Sequence, residues 1–166
     1  MKSMEEMYGF TTAKVGKRLS RLVASFLRPY DITPEQWTVL KKVSESDRIT
    51  QKQLAIKADK DQATLTKILD LLEKSGHLQR IRNPEDRRSY YIQQTEKGMA
   101  LQEEITGPIE DLFKMLTAEI DEADLAAYFN VLQQLEKKQN LFKKRLDIHK
   151  AGISLKAPAL NTSCHF

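Results

Sequence analysis

The order of segments between Ile49 and Gly98 constrains the fold of this chain more than any other feature. A short helix-forming segment begins at Thr50, and a polar turn and an amphipathic segment ending near Gly76 follow it. Two strand-like segments with a charged connection come next. Helix pairs occur in many folds, but a helix pair closed by glycine and followed at once by a basic hairpin is much rarer. This order predicts a winged helix-turn-helix.

The two helices of this pair carry clear start and stop signals. Thr50 followed by Gln53 matches a capping box, and either Asp59 or Asp61 can cap the second helix after the turn. This second helix is expected to run through Glu73, with Gly76 as a left-handed cap. Its apolar face is predicted to consist of four aliphatic residues: Leu65, Ile68, Leu69 and Leu72.

Two strands with a charged tip are predicted to follow, at His77–Arg82 and Ser89–Gln94. The connection at Asn83–Arg88 has turn-forming residues. Arginines are concentrated in this hairpin, and Asp86 is expected to pair with Arg88 and fix the direction of that side chain. The arginines are Arg80, Arg82, Arg87 and Arg88.

Helical periodicity continues on both sides of the hairpin unit. A helix is predicted at Met7–Arg28, ended by Pro29, and a capping box at Thr33–Gln36 opens the next one. After the hairpin, a helix beginning near Thr95 is expected to kink or break at Gly107–Pro108. A last long helix beginning at Asp121 carries a heptad-like apolar seam, which either packs within the chain or forms a dimer surface.

The polar face of the helix beginning at Asp61 has the chemistry that reads base edges. A major groove about 12 Å wide accepts one helix, where Gln and Lys bond base edges and Ala or Thr contact thymine methyls. A basic hairpin tip suits the narrow, negative minor groove. The alternatives are a solvated polar face with weak surface ion pairs and a winged helix that binds only other proteins. The predicted DNA-contacting residues are Thr50, Gln51, Gln62, Ala63, Thr64, Thr66, Lys67, Arg82, Asp86, Arg87 and Arg88.

The composition and motifs of the chain argue against several other classes of protein. The chain has 27 Lys and Arg against 23 Asp and Glu, a mild excess that permits an anionic partner without requiring one. The single cysteine, Cys164, cannot form an internal disulfide, so a reducing, cytoplasmic location is expected. The sequence shows neither a signal peptide nor a membrane-length apolar run. It has no phosphate loop, nucleophile motif or metal-ligand spacing, so no enzymatic activity, cofactor or metal is expected.

Three sequence segments resemble the MarR family of bacterial transcriptional regulators. They are Leu65–Gly76, the wing segment Asn83–Ser89 and Thr95–Gly98, and the likeness extends over about Thr11–Leu146. The resemblance implies a fold that is mainly α with a small β-hairpin wing, with dimerisation helices at both ends. The corresponding domain ranges are 7–30, 31–98 and 99–148, with a flexible tail at 149–166.

The resemblance also implies how such a chain works. It implies an obligate homodimer that binds a palindromic operator, with the helix after Asp61 in the major groove and Arg88 in the minor groove. The implied dimerisation residues are Val15, Leu19, Leu125, Tyr128, Leu132, Leu135 and Phe142. It further implies release from DNA by a small-molecule effector. Aromatic residues suit the lining of the effector site, although plain core packing also explains them: Phe10, Phe26, Tyr30, Trp37 and Phe113.

Overall fold

The computed structural model describes residues 3–86 and 88–150, without the side chains of residues 140, 141 and 143–150. It confirms the predicted class, mainly helical with a small β-sheet. A π-helical turn at Glu5–Phe10 precedes α1, and a 3-10 turn at Arg28–Tyr30 follows it. The helices are α1 (Thr11–Leu27), α2 (Pro34–Ser44), α3 (Gln51–Lys57), α4 (Gln62–Lys74), α5 (Glu96–Thr117) and α6 (Glu122–Lys150). The strands are β1 (Ile49–Thr50), β2 (Leu78–Arg82) and β3 (Tyr90–Gln94).

The predicted helix caps are confirmed. Thr33 and Thr50 each form a complete capping box with the glutamine three residues later. Asp61, rather than Asp59, caps α4, because its carboxylate accepts a hydrogen bond from the backbone N–H of Thr64. Asp59 instead adopts a left-handed conformation with φ of 48° in the turn before it. These local bonds explain why the helix starts could be located from the sequence.

The sheet has one strand more than the predicted hairpin. Strand β1 pairs with β3, opposite β2, so the strand order is β1-β3-β2. The partners Ile49 and Ile92 are both buried and lie opposite each other in the register. A two-residue strand has too little alternation to be recognised in a sequence, and its pairing partner lies more than forty residues away.

The α1 helix ends at Leu27, one residue before its predicted end, but the two prolines do not act as predicted. Pro29 does not push Arg28 out of the helical region, since Arg28 has φ of −54° and ψ of −44°. The chain instead leaves the helical conformation at Asp31, with φ of 52°. Pro108 does not break α5, which continues from Glu96 to Thr117. The buried side chains of Ile105 and Ile109 hold the turns on both sides of the proline in the same core, which offsets the missing N–H.

One hydrophobic core lies beneath α2, α4 and the sheet, and α5 contributes Ile105 and Ile109 to it. The chain divides into two compact units, one ending at Met115 and the other beginning at Leu116. The predicted domain ranges stay predictions, and beyond residue 150 the predicted tail lies outside the described residues. No helix in the described ranges combines the length and apolar character needed to cross a membrane.

Candidate nucleic-acid interface

The first turns of α4 present short polar side chains to solvent. Gln62, Ala63, Thr64 and Lys67 are exposed, whereas the four predicted aliphatic residues on the opposite face are buried. The Thr64 hydroxyl donates a 2.7 Å hydrogen bond to Asp61, and this bond is the main cause that lowers the pKa of the Asp61 carboxyl. The Thr64 hydroxyl hydrogen is thus already engaged in the cap of α4. Gln62, Ala63 and Lys67 remain the side chains most available for a ligand.

Thr66 and Gln51 hold α3 against α4. The Gln51 amide Nε2 donates to the Thr66 hydroxyl over 2.7 Å, and that hydroxyl donates in turn to the carbonyl oxygen of Gln62. The Thr50 hydroxyl donates to the side chain of Gln53 within the capping box. Three of the residues predicted to contact DNA therefore already have internal partners. Their DNA contacts stay predictions.

Hydrogen bonds join the described residues of the wing tip. Asn83 is buried, and its side chain bonds the Ser89 hydroxyl and the backbone N–H of Glu85. The burial of Asn83 could not be predicted from the sequence, although asparagine at the start of a turn commonly bonds the backbone two residues on. The turn leaves the side chains of Arg82 and Arg88 exposed, while Arg87 lies outside the described residues.

Asp86 orients Arg88 differently from the prediction. The Asp86 carboxylate accepts a 3.0 Å hydrogen bond from the backbone N–H of Arg88. Among the described side chains it forms no ion pair with the Arg88 guanidinium. Asp86 therefore fixes the backbone from which Arg88 projects, and the guanidinium keeps its charge for an external anion. A carboxylate two residues before an N–H reaches it easily in a turn.

Arg80 differs from Arg82 and Arg88, whose side chains are exposed. Its guanidinium forms ion pairs with Asp70, at 2.7 Å, and with Glu73, both on α4. Its side chain is 21% exposed. The different role of Arg80 could not be predicted from residue spacing, because its two carboxylate partners lie on another element, α4.

A compact junction connects α4, β2 and α5. The Thr95 hydroxyl donates a 2.6 Å hydrogen bond to the Gly76 carbonyl oxygen, and the His77 N–H donates to the carbonyl oxygen of Leu72. Gly76 has φ of 78°, as its predicted role requires. His77 is buried. Burial lowers the pKa of its imidazole, the charge of Lys97 lowers it further, and Asp31 opposes both.

The five candidate effector residues are not gathered around one cavity. Trp37 belongs to the core, Phe26 and Tyr30 pack with ring centroids 6.1 Å apart, and Phe10 and Phe113 are exposed. A cavity of about 800 Å³ lies elsewhere, between the ends of α1 and α4 and the start of α2. Its lining includes Arg28, Ile32, Leu71, Lys74 and His77, and none of the five aromatic residues. The effector site stays a prediction.

The predicted dimerisation residues include several exposed apolar side chains. Val15 on α1 is 42% exposed, and Tyr128, Leu135 and Phe142 on α6 are 54%, 47% and 61% exposed. Leu19, Leu125 and Leu132 are half-buried. Exposed apolar side chains at helical spacing are typical of surfaces that another chain covers. Within the described ranges, no group of three or more His, Cys, Asp or Glu is placed to hold a metal ion.

Proteins similar to this chain are known from their sequences and from solved structures. The sequence profile of the MarR family matches residues 32–90. The multiple antibiotic resistance protein MarR of Salmonella typhimurium is 30% identical over 122 residues, which cover 73% of this chain and 85% of that protein. The HTH-type transcriptional regulator SarZ of Staphylococcus saprophyticus is 28% identical over 121 residues, covering 73% and 83%.

A solved structure extends the likeness to three dimensions. The crystal structure of a mutant MarR from E. coli complexed with operator DNA has a TM-score of 0.74 and 28% sequence identity to this chain. It covers 81% of this chain and 99% of the other.

Proposed function

This chain belongs to the MarR family of DNA-binding transcriptional regulators, and we propose that it represses transcription by binding a palindromic operator as a homodimer. The observation that carries the proposal is the pairing of two surfaces in one compact unit. The start of α4 exposes polar side chains, and a hydrogen-bonded backbone at Asp86 and Arg88 exposes the Arg88 side chain at the tip of the wing.

Each surface matches a different groove. Gln62 and Lys67 carry donors that bond base edges in the major groove, and the Ala63 methyl suits a thymine methyl. Arg88 suits a narrow minor groove, where the negative potential is strongest. The bound MarR mutant named above shows that a chain of this fold engages operator DNA.

A two-fold dimer would present two copies of this unit to one duplex. Exposed apolar residues on α1 and α6, such as Val15 and Tyr128, are the surfaces we assign to the dimer. Symmetry then requires half-sites about one helical turn, roughly 34–36 Å, apart. We also assign the protein to the cytoplasm, to a role without enzymatic activity, and to release by a small-molecule effector.

Selection of bound fragments from the host genome tests the proposal. We expect a palindromic site to be enriched, and mobility shifts on that site to show a complex that weakens steeply as salt rises. Light scattering should give the mass of a dimer. If no sequence is enriched and binding to all duplexes is equally weak, the chain is not a specific regulator, and a protein-binding role for the winged helix replaces it.

A further inference from the structure

Arg80 connects the wing to the recognition helix. It lies in the middle of β2, and its two partners, Asp70 and Glu73, lie on α4. We propose that Arg80 is a positioning residue that locks the wing to α4, so that the major-groove and minor-groove contacts are made at one fixed spacing. The inference rests on the proposed function and adds a determinant of operator geometry to it.

Three bonds form the lock. Arg80 Nη2 lies 2.7 Å from Asp70 Oδ1, Nη1 pairs with Glu73 Oε2, and the backbone N–H of Arg80 donates to Glu73 Oε1 over 3.2 Å. A planar guanidinium that meets two carboxylates is held in direction as well as in position. Burial by itself lowers the pKa of the Arg80 guanidinium, but the hydrogen bonds and charges of Asp70 and Glu73 together raise it.

The charges argue against a direct DNA contact by Arg80. One guanidinium and two carboxylates sum to a net charge of −1, so this group as a whole repels phosphate. Glu73 and Asp70 have 41% and 58% of their side chains exposed, whereas Arg80 has 21%. The Arg80 side chain is therefore less exposed to an approaching phosphate than either of its partners. Arg80 acts through the orientation of the wing.

The place of Arg80 in the hairpin explains why a second attachment matters. The base of β2 is already fixed, because the N–H of His77 bonds α4 and the Thr95 hydroxyl bonds Gly76. On the other side of the hairpin, β3 is held by its pairing with β1. On the β2 side, Arg80 attaches the strand to α4 a second time, three residues beyond His77. Arg80 lies opposite Ile92 and two residues before Arg82, where the strand ends and the tip begins.

Operators with altered spacing test the lock. The probe is the selected operator and a version with one base pair inserted between each major-groove half-site and its outer flank. We expect the wild-type protein to bind the intact operator much more tightly than the version with the insertions. For Arg80→Gln, we expect the ratio of these two affinities to fall by about tenfold, the change that corresponds to 1.4 kcal/mol. Hydroxyl-radical protection of the flanking minor grooves should weaken while methylation protection in the major groove remains.

Two variants separate positioning from charge and folding. Arg82→Gln removes a neighbouring wing cation, so it should lower affinity for both operators and leave their ratio unchanged. The double variant Asp70→Asn, Glu73→Gln removes two negative charges, so it should raise non-specific affinity and still reduce the ratio. A purely structural role for Arg80 does not predict that opposite pair of effects. The double variant also tests the lock from α4 if Arg80→Gln does not fold.

A measurement without DNA keeps this inference separate from the proposed function. Amide hydrogen exchange in β2 and β3 should accelerate several-fold in Arg80→Gln, while exchange in α2 stays unchanged. Unchanged hairpin exchange together with an unchanged spacing ratio would overturn the lock. If the wild-type protein binds no operator but hairpin exchange accelerates, the proposed function fails and the mechanical connection stands.

Discussion

The side-chain amide of Gln51 donates a 2.7 Å hydrogen bond to the hydroxyl of Thr66, which lies 15 residues further along the chain. This bond joins α3 to the polar face of α4. The Thr66 hydroxyl in turn donates a hydrogen bond to the carbonyl oxygen of Gln62. The two bonds connect α3 to the start of the helix that we assign to the major groove.

Removal of the Thr66 hydroxyl should loosen this connection. In Thr66→Val the Gln51 amide loses its partner, and a half-buried donor without a partner costs about 1 kcal/mol. We expect operator affinity to fall by about fivefold, as that energy implies. Gln51→Ala supplies the control in a double-mutant cycle measured by mobility shift. The two changes together should cost no more than the larger one alone, and full additivity would show that the residues act independently.

Arg88→Ala should weaken operator binding while the dimer survives. Loss of an arginine from the minor groove should cost about 1–3 kcal/mol and reduce the salt dependence by about one counterion. Titrations at several salt concentrations measure both quantities, and light scattering measures the dimer. Lys41→Ala, which removes an exposed cation from α2, is the matched control. Equal losses in the two variants would mean that Arg88 contributes only general charge.

Gly98→Ala should destabilise the junction between the wing and α5. An added Cβ would lie 2.0 Å from the carbonyl oxygen of His77, which is backbone and cannot turn aside. We expect the free energy of unfolding to fall by roughly 2–4 kcal/mol in urea denaturation. At Gly16, within α1, an added Cβ meets nothing within 4 Å, so Gly16→Ala should be neutral or stabilising by about 0.5–1 kcal/mol. Similar effects at both glycines would contradict the close contact.

Stability should decrease below pH 6.5 because of His77. Its burial lowers the imidazole pKa from the usual 6.5, so the unfolded chain binds the proton more readily than the folded one. The contribution is fully present above pH 6.5 and is lost as the pH falls through the lower pKa of the folded state. Urea denaturation between pH 8 and 5 measures it, and His77→Gln should reduce the slope below pH 6.5. An identical slope in the variant would exclude His77 as its source.

Local chemistry explains which features could be predicted from the sequence. The capping boxes at Thr33 and Thr50, the cap at Asp61 and the left-handed Gly76 depend on neighbours within a few residues. Periodicity likewise located the buried face of α4. The exposed polar residues at the start of α4 and the wing could be predicted from these elements. The sequence motifs of the same segments indicated the family.

Tertiary structure alone decided the partners of the polar residues. The wing, predicted as two strands, has β1 as a third, and Arg80 pairs with Asp70 and Glu73 on α4. Thr66 and Gln51, both predicted to contact DNA, also form a hydrogen bond between two helices. A sequence lists charges and hydroxyls without their distances, and hydrogen bonds form only within about 3 Å. The sequence thus determined most of the elements and the starts of the helices, and the packing of those elements determined which side chains stay available for DNA.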